Sequence, residues 1–424
     1  MRVLWLSDGS NSSTGFASQS RLLMMDMHRW GHEVIHVAHN YIGQPIFNFE
    51  MEDNLRIPYK MIGGDPRAPY CQTVLPEYLA KYKPDVFGTL LDTFMLFPWI
   101  CNMPISCKTV GWWPSDGGWF PQGCENVLKR FNRNVMMAKF GQEQVKRLFN
   151  LDTLHIPHGV KSLKFRPMKE EDRHELRQVY GDKALYVVHN GNYAQMKVDL
   201  NKKFVVGCVA RNQPRKMMDR LIKSFCLFAK GKEDVILLLH SDFRDMAAGF
   251  NLQDLADRYG EGRKVYWTGI KWFDNYSVDR MVEIYNLFNV HFLLTSGEGF
   301  GVPFIEAMSC GIPNVATNYT TTKELITDHQ AGLGVRLMSG EDSPYPAEQL
   351  LDGTLMGTFM VDRAMASIKH GAECLDTLYT DWKEQGGQLA KDMGKRGRDA
   401  VLAHYDWDNC VAPAWKKLLE EMQT

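Results

Sequence analysis

Residues 289–324 read NVHFLLTSGEGFGVPFIEAMSCGIPNVATNYTTTKE, and they carry most of the functional information in this chain. The first part, Val290 to Leu294, has the continuous apolar character of a buried strand, and a glycine-rich loop from Ser296 to Val302 follows it. We expect a helix that begins at Pro303, because proline is tolerated at a helix start, where its missing N–H would have no partner. The loop therefore presents free backbone N–H groups and the positive end of a helix dipole, a combination that suits a phosphate or another anion.

Two carboxylates flank this predicted anion site. Glu298 lies in the loop, and Glu306 lies about one turn into the helix. Carboxylates do not bind an anion, but they accept hydrogen bonds from hydroxyl groups. A sugar nucleotide has hydroxyls at both ends of its diphosphate, so this segment has the chemistry to bind such a molecule.

The composition indicates a globular protein of two domains. The chain has 424 residues, 45% hydrophobic and 23% charged, with a net charge of −1. Two domains of about 200 residues are the natural expectation at this length. The near-zero net charge excludes a global field that would attract nucleic acid or a membrane, although a local basic patch remains compatible with it.

Several absences in the sequence favour a cytoplasmic protein, in the host cytoplasm if the chain is viral. No apolar run approaches the roughly 18 residues of a membrane span, and the start MRVLWLSDG has the pattern of a strand followed by a turn, not of a secretory signal. The 9 cysteines include no CxxC pair, which favours reduced thiols. The histidines are not spaced as metal ligands, so no metal site is predicted.

The first half of the sequence predicts a parallel sheet with ligand-facing loops. The strand at residues 2–6 leads into the loop SDGSNSSTGFASQS, which contains Gly15, and then into a helix that Gly31 ends. This loop has amides for a phosphate, but it lacks the GxGxxG spacing of dinucleotide-binding proteins, and a loop without a ligand is an equal alternative. Asp92 ends a later strand, at the edge where ligands bind in open α/β sheets.

An aromatic loop in the same half is a candidate contact surface for the second substrate. The stretch GWWPSDGGWF contains Trp112, Trp113, Asp116 and Trp119, and His158 follows in IPHGV at a predicted sheet edge. Tryptophans in a Gly- and Pro-rich loop predict a surface on which a sugar ring or an unstacked base can stack. A loop packed on its own aromatic residues is the alternative interpretation.

The second half repeats the β–α alternation and predicts an independent sheet. The stretch RNQPRK follows its first strand and brings Arg211, Arg215 and Lys216 to the edge that carries the glycine-rich loop, where cations can neutralise a diphosphate. Thr321 and Glu324 match a capping box at the start of another helix. The predicted boundaries are 1–195 for the first domain, 196–395 for the second, and 396–424 for a C-terminal helix that crosses back to the first domain; the resemblance described next implies that the first binds the acceptor and the second the nucleotide sugar.

These motifs resemble those of the retaining nucleotide-sugar glycosyltransferases of the GT-B fold, family four, also called group 1. The resemblance covers most of the chain and is strongest from residue 203 to 325. The family signature, two glutamates eight positions apart, is reproduced by Glu298 and Glu306 with GFGVPFI between them, and SCGIP follows. The N-terminal half, with its WPSDGG motif, looks like bacteriophage and archaeal members. The resemblance implies two Rossmann-like α/β domains that face a cleft.

The resemblance also implies roles for residues on the donor side. Glu306 would hold the ribose hydroxyls, and Glu298 would hold hydroxyls of the transferred sugar. Arg211 and Lys216 match the phosphate-binding pair of the family. The implied donor is a nucleoside-diphosphate sugar, a UDP-sugar above all, with no cofactor required. The other donor contacts predicted are Gly15, Gly299, Phe300, Gly301 and Val302.

One position departs from the family pattern. Many members have a histidine after the fourth strand of the first domain, and here LLDTF places Asp92 at or beside it. A carboxylate there can orient or deprotonate the acceptor hydroxyl, and Asp116 is a second candidate. Family members retain the anomeric configuration, which implies front-face attack without a protein nucleophile. The predicted catalytic set is therefore Glu298, Asp92, Arg211 and Lys216.

The sequence leaves the acceptor open between two classes. One is a glycan or a lipid-linked glycan, as is commonest in the family, and the other is DNA with hydroxymethylated bases, as for some phage enzymes. For DNA, the Trp-rich loop beside Lys129, Arg130 and Arg133 would take a flipped base and its flanking phosphates. A basic run of this kind is otherwise a solvated face.

Two functions besides sugar transfer are also compatible with the sequence. A nucleotide-sugar epimerase or a phosphorylase can have the same fold, and so can a non-catalytic protein that binds sugar nucleotides. The charged and carboxylate residues of the donor side, with Glu298, Glu306, Arg211 and Lys216 all present, favour an enzyme over a protein that only binds.

Overall fold

Two sheets, one after the other along the chain, form the framework of the protein. The computed structural model describes residues 1–51, 55–118, 120, 123–189, 191–243, 245, 249–271, 274, 276–338, 350–351 and 361–423. Within these residues the strands form two sheets of eight strands each and one separate pair of short strands. Helices alternate with the strands of both large sheets, as the predicted α/β architecture requires.

The first sheet is built from the N-terminal part of the chain. Its strands are β1 (Arg2–Ser7), β2 (Glu33–Ala38), β3 (Ile46–Glu50), β4 (Arg56–Gly63), β5 (Val86–Thr89), β6 (Lys108–Trp113), β7 (Arg133–Met136) and β8 (Leu154–His155). Its helices are α1 (Gly15–Arg29), α2 (Leu75–Tyr82), α3 (Thr93–Leu96), α4 (Cys124–Arg130) and α5 (Lys139–Phe149). The spatial order is β3-β4-β2-β1-β5-β6-β7-β8, with β3 antiparallel to β4 and the other pairs parallel. Strand β1 is buried at every position after its first because it lies inside the sheet.

The second sheet has the order β10-β9-β13-β12-β11-β14-β15-β16. Its strands are β9 (Tyr186–His189), β10 (Asn192–Gln195), β11 (Phe204–Val209), β12 (Val235–His240), β13 (Val265–Trp267), β14 (Val290–Leu293), β15 (Asn314–Thr317) and β16 (Gly332–Val335), and the short pair is β17 (Leu350–Leu351) with β18 (Asp362–Arg363). The remaining helices are α6 (Glu170–Lys183), α7 (Met218–Ala229), α8 (Leu252–Arg258), α9 (Val278–Asn286), α10 (Val302–Ser309), α11 (Thr320–Thr322), α12 (Ile368–Glu384), α13 (Gln388–Ala400) and α14 (Ala412–Glu421). Because β9 and β10 belong to this sheet, it begins at Tyr186, upstream of the boundary at 195/196 that the sequence predicts.

The C-terminal helix packs on the first domain, as predicted. Trp415 in α14 is fully buried, and its ring centroid lies 5.8 Å from that of Trp5 and 5.0 Å from that of Trp112. Just before this helix, the indole N–H of Trp407 donates to the Asp26 carboxylate at 2.7 Å. Large aromatic side chains bury more apolar area than any others, which explains why the chain returns across the cleft at this point.

The predicted capping box at Thr321 and Glu324 is wrong. The Thr321 hydroxyl donates to the carbonyl of Glu298 at 3.0 Å, so it supports the glycine-rich loop instead. The Glu324 carboxylate accepts the backbone N–H of Phe140, in the first turn of α5, at 3.3 Å. Glu324 thus links the two domains, because a carboxylate is favoured at the positive end of a helix dipole.

No helix in the described part of the chain is long and apolar enough to cross a membrane.

Candidate active site

Glu298 lies at the centre of a buried ion cluster in the loop after β14. The Lys216 ammonium lies 2.6 Å from Oε1 of Glu298, and the Arg215 guanidinium lies 3.0 Å from Oε2. Burial disfavours the charged carboxylate, but Lys216 and Arg215 together outweigh this effect and lower the pKa of Glu298 to about 2. Glu298 is therefore an ionised hydrogen-bond acceptor whose orientation is set by two cations.

Arg211 is placed differently from Lys216, with which the sequence pairs it. Its guanidinium forms an ion pair with Asp245, with Nε 2.6 Å from Oδ2. About half of the Arg211 side chain is exposed, whereas Lys216 is buried. The cation that joins Lys216 at Glu298 is its neighbour Arg215, which the sequence places at the same sheet edge without assigning it a role.

Two helix N-termini, one from each domain, lie close to each other. Helix α1 begins at Gly15 in the first domain, and α10 begins at Val302 in the second, one residue before the predicted start at Pro303. A Cβ built on Gly15 would lie 4.0 Å from Cγ2 of Val302. The structure therefore brings these two predicted donor contacts together, and the positive ends of two helix dipoles converge there.

The glycine-rich loop packs closely against the first domain. Gly301 has a φ of +96°, a backbone conformation that a residue with a side chain rarely adopts, and it allows the chain to turn into α10. A Cβ on Gly299 would lie 2.6 Å from Cβ of Pro114, in the loop after β6. Phe300 is buried, with its ring centroid 5.2 Å from that of His158. The loop is therefore part of the interface between the domains.

Glu306 points its carboxylate at a tyrosine hydroxyl in the same domain. The Tyr285 hydroxyl donates to Oε2 of Glu306 at 2.7 Å. Burial raises the pKa of Glu306 to about 7, although this hydrogen bond opposes the shift. Glu306 is thus held in one orientation on the second turn of α10, with its charge only partly compensated.

The first domain contributes carboxylates to the cleft. Asp92 directly precedes α3, its side chain forms no capping hydrogen bond to that helix, and it is partly buried. Burial raises the pKa of Asp92 to about 7, and the negative charges of Asp116 and Asp8 act in the same direction. The positive charges of Arg215 and Arg363 oppose this increase, so residues of both domains control the charge on Asp92.

The other acidic residues of this group are paired. Oδ2 of Asp116 lies 2.9 Å from the guanidinium of Arg363, in β18 of the second domain. Oδ1 of Asp8 lies 2.7 Å from Nε2 of His39. Each of these two acidic neighbours of Asp92 therefore has a basic side chain close to its carboxylate.

His158 lies between the domains in an apolar pocket. Its ring centroid is 4.6 Å from that of Trp112, and its two nitrogens have no hydrogen-bond partner among the described residues. Burial lowers the pKa of His158 to about 3, so the ring is neutral at physiological pH. Both nitrogens are thus buried beside Phe300 without the hydrogen-bond partner that buried polar atoms usually have.

The predicted stacking surface of tryptophans is wrong for two of its three members. Trp112 and Trp113 are fully buried in β6, and their indole N–H groups donate to the Ile156 carbonyl and the Asn134 side chain at 2.8 Å each. They are core residues because β6 lies inside the sheet with both faces covered. Trp119, the third member, lies outside the described residues.

Sequence reasoning missed one cation of the site, Arg363, and gave no separate role to another. Arg215 precedes Lys216 in RNQPRK, and the sequence places it at this sheet edge with Arg211 and Lys216. Arg363 lies far along the chain in a stretch without a recognisable motif, so no local signal marks it. In the described part of the chain, no group of three or more His, Cys, Asp or Glu side chains is arranged to hold a metal ion.

Comparison with known families agrees with this geometry. Residues 194–337 match the family model described as glycosyl transferases group 1. The match includes β11 to β16 and therefore Lys216, the glycine-rich loop and Glu306. No curated protein matches the sequence.

Solved structures share the fold over the length of the chain. Sucrose-phosphate synthase from Thermosynechococcus elongatus is 16% identical, with a TM-score of 0.70, and the match covers 100% of this chain and 99% of that chain. HepE from Anabaena, in complex with UDP and glucose, is 15% identical, with a TM-score of 0.68 and coverages of 99% and 100%. A glycosyltransferase from Rickettsia africae is also 15% identical, with a TM-score of 0.66 and coverages of 100% and 98%.

Identities this low show the fold alone, and they confirm the predicted arrangement of two Rossmann-like domains. Together, these comparisons show that the chain has the GT-B fold and that its residues 194–337 match the model of the group 1 glycosyl transferases.

Proposed function

We propose that this protein transfers a sugar, with retention of configuration, from a UDP-sugar to a hydroxyl group of a glycan or lipid-linked glycan. The observation that carries the proposal is the convergence of two helix N-termini, at Gly15 and Val302, in the same cleft as the cluster of Lys216, Arg215 and Glu298. This arrangement offers positive potential to a diphosphate and an ionised acceptor to a sugar. The complexes of HepE with UDP and glucose support this choice of donor.

On the donor side, each group has one task. The helix N-termini bind the diphosphate and stabilise the negative charge that develops as it leaves. Glu298 accepts hydrogen bonds from hydroxyls of the transferred sugar, and Glu306 accepts them from the ribose. Lys216 and Arg215 keep Glu298 ionised and add to the positive potential. Arg211 joins the phosphate only by exchanging Asp245 for it.

The reaction requires no protein nucleophile in this proposal. The acceptor oxygen forms a bond to the anomeric carbon on the face from which the phosphate oxygen departs, and the hydroxyl proton passes to the departing phosphate. Ionised Asp92 accepts a hydrogen bond from the acceptor hydroxyl and orients it for attack. His158 contributes a neutral hydrogen-bonding group beside the sugar. Closure of the domains excludes water, which would otherwise hydrolyse the donor.

The DNA alternative receives less support from the site. Trp112 and Trp113 are buried and do not offer a surface to a flipped base. In the basic stretch, Lys129 pairs with Glu125 at 2.6 Å, and the Arg130 guanidinium donates to the Met103 carbonyl at 2.8 Å. Hydroxymethylated DNA is therefore included in the acceptor screen, and transfer to it would favour the DNA alternative.

The test of the function is a donor screen followed by an acceptor screen. UDP-sugars and other nucleoside-diphosphate sugars are assayed for release of the nucleotide, with and without glycan, lipid-linked glycan or hydroxymethylated DNA. We expect release that depends on a glycan acceptor, and a product that keeps the anomeric configuration. Isomerised donor without an acceptor would indicate an epimerase, and tight binding without turnover would indicate a non-catalytic protein.

A matched pair of variants assigns the activity to the site. Glu298→Gln should reduce transfer by about 100-fold or more, because a charge-assisted acceptor to the sugar is lost. Glu283→Gln is the control, since it makes the same chemical change on α9, where the Glu283 carboxylate accepts the Tyr180 hydroxyl at 2.6 Å. Full activity in the Glu298 variant would refute the role of this loop.

A further inference from the structure

The short segment 361–366 of the second domain returns to the active site. The backbone N–H of Ala364 donates to the carbonyl of Ser296, directly before the glycine-rich loop, at 3.0 Å. The backbone N–H of Met338 donates to the carbonyl of Met365 at 2.7 Å. The segment is therefore fixed to the second domain just beyond Arg363, at the loop that carries Glu298.

The same segment contacts the first domain through the loop after β6. The backbone N–H of Gly118 donates to the carbonyl of Asp362 at 3.1 Å and to the hydroxyl of Tyr319 at 3.0 Å. A Cβ on Gly117 would overlap Val361 and the Asp362 carbonyl, so the two backbones approach as closely as glycine permits. This contact places the 361–366 segment between the donor loop and the first domain.

Arg363 crosses this contact with its side chain. Its guanidinium lies 2.9 Å from the Asp116 carboxylate, and the Arg363 side chain is only 8% exposed. An ion pair between a buried guanidinium and a half-buried carboxylate is directional, and loss of Asp116 leaves the buried charge of Arg363 without this partner. The Asp116 carbonyl, on the same residue, packs against Gly297 beside Glu298. One residue of the first domain thus contacts the second through its backbone and through its side chain.

We propose that Arg363 is a positioning residue that acts through Asp116. The ion pair fixes the position of the glycine-rich loop of the second domain relative to Asp92 of the first. The acceptor hydroxyl then meets the anomeric carbon in a reactive geometry. Arg363 does not touch the reacting atoms in this proposal, and donor binding within the second domain does not depend on it. The inference rests on the proposed function, because the relative position of the two domains affects the reaction only if each domain binds one of the two substrates.

The experiment is a double-mutant cycle on the full-length protein. Arg363→Gln, Asp116→Asn and the double variant are compared with the wild type for acceptor-dependent transfer and for donor affinity. We expect each single variant to lose about tenfold or more in kcat/KM for the acceptor, since misplacement of reactants by a fraction of an ångström is costly. The double variant should lie within about twofold of the worse single variant, because Arg363 acts through Asp116. Donor affinity should fall by less than transfer does, because Glu298 and Glu306 stay in place in the second domain and only the contact from Gly15 of the first domain is weakened.

Two further variants separate positioning from a general structural effect. Arg363→Lys keeps the positive charge and should recover part of the lost transfer. Arg263→Gln is the matched control, because Arg263 forms an exposed ion pair of similar length, 3.0 Å, with Glu233 in the same domain. Additive losses in the cycle, or a loss of donor affinity as large as the loss of transfer, would overturn the proposal.

A readout independent of activity distinguishes failure of this inference from failure of the proposed function. Small-angle X-ray scattering with UDP present measures the compactness of the two-domain chain. We expect Arg363→Gln to be less compact than the wild type and Arg263→Gln to be unchanged. If the wild type transferred no sugar, the proposed function would fail, and equal compactness of Arg363→Gln and the wild type would overturn the inference by itself.

Discussion

Replacement of Glu306 by glutamine tests the electrostatics of the donor site, because it should stabilise the ligand-free protein in a pH-dependent way. Burial raises the pKa of Glu306 from 4.5 to about 7. The folded state therefore binds this proton more tightly than the unfolded state does. Below pH 4.5 the carboxyl is protonated in both states, so its ionisation does not change the free energy of unfolding. Between pH 4.5 and 7 the unfolded state ionises first, so the charge progressively destabilises the folded protein.

The magnitude follows from this pKa difference. One pKa unit corresponds to about 1.4 kcal/mol, so the ionised carboxylate costs the folded state about 3 kcal/mol at pH 8 at most. Glutamine keeps an oxygen that accepts the Tyr285 hydroxyl but carries no charge. The Glu306→Gln variant should therefore be more stable than the wild type at about pH 8 and similar to it at about pH 4.5.

Thermal unfolding at the two pH values measures this effect. At roughly 2–4 °C per kcal/mol for a domain of this size, the unfolding temperature of the variant should rise by roughly 6–12 °C at about pH 8 at most. Glu125→Gln controls for a general change of charge, because Glu125 lies on the surface in a pair with Lys129. The free energy of unfolding of this control should differ from that of the wild type by no more than about 0.5 kcal/mol at either pH, as for other surface substitutions.

The gain in stability should be accompanied by a loss of nucleotide affinity. In the proposed function Glu306 accepts the ribose hydroxyls, and a charged acceptor forms a stronger hydrogen bond than an amide oxygen does. We expect UDP to bind about tenfold more weakly to Glu306→Gln at about pH 8. A variant that is destabilised at that pH, or stabilised equally at both pH values, would refute the reasoning about burial.

Three other predictions concern the cleft and the crossing helix. Trp415→Ala should destabilise the protein by about 3–5 kcal/mol, because a fully buried indole is removed. Thermal unfolding measures this as a lower unfolding temperature, and a change of less than about 1 °C would contradict it. Transfer by the wild type should increase as the pH rises through about 7, since Asp92 acts in its ionised form. Asp116→Asn should move this increase to lower pH, because a negative neighbour of Asp92 is lost. An unchanged pH profile would exclude Asp92 as the group that orients the acceptor. The pKa of Glu298 is lowered from 4.5 to about 2, so its charge stabilises the folded state by about 3 kcal/mol above pH 4.5. This contribution disappears as the pH falls towards 2. The unfolding temperature of Glu298→Gln should therefore depend less on pH over that range than that of the wild type.

The local structure of residues 289–324 could be predicted from the sequence because its signals are local. The strand, the glycine-rich loop and the start of α10 follow one another within residues 289–324, and the spacing of Glu298 and Glu306 is a property of that segment alone. The structure keeps this arrangement, with a helix start only one residue from the predicted one. Local backbone chemistry, with a glycine at positive φ and a proline in the first turn, explains this agreement.

The acceptor half could not be predicted in the same way, since exposure depends on which faces of the sheet are covered. Trp112 and Trp113 follow each other in a Gly- and Pro-rich stretch that looks like a loop, but they complete a buried strand. The burial of Trp112 is completed by α14, which brings Trp415 against it from the other end of the chain. No local pattern could show this contact.

By itself the sequence determined that the protein has two α/β domains, and that one of them carries a glycine-rich loop flanked by Glu298 and Glu306. Only the tertiary structure decided which charges meet in the cleft. It selected Arg215 as the partner of Lys216 at Glu298, and it brought Arg363 to Asp116. The physical reason is that secondary structure and helix dipoles follow from neighbours in the chain, whereas ion pairing and burial depend on distances in space that only the folded chain sets.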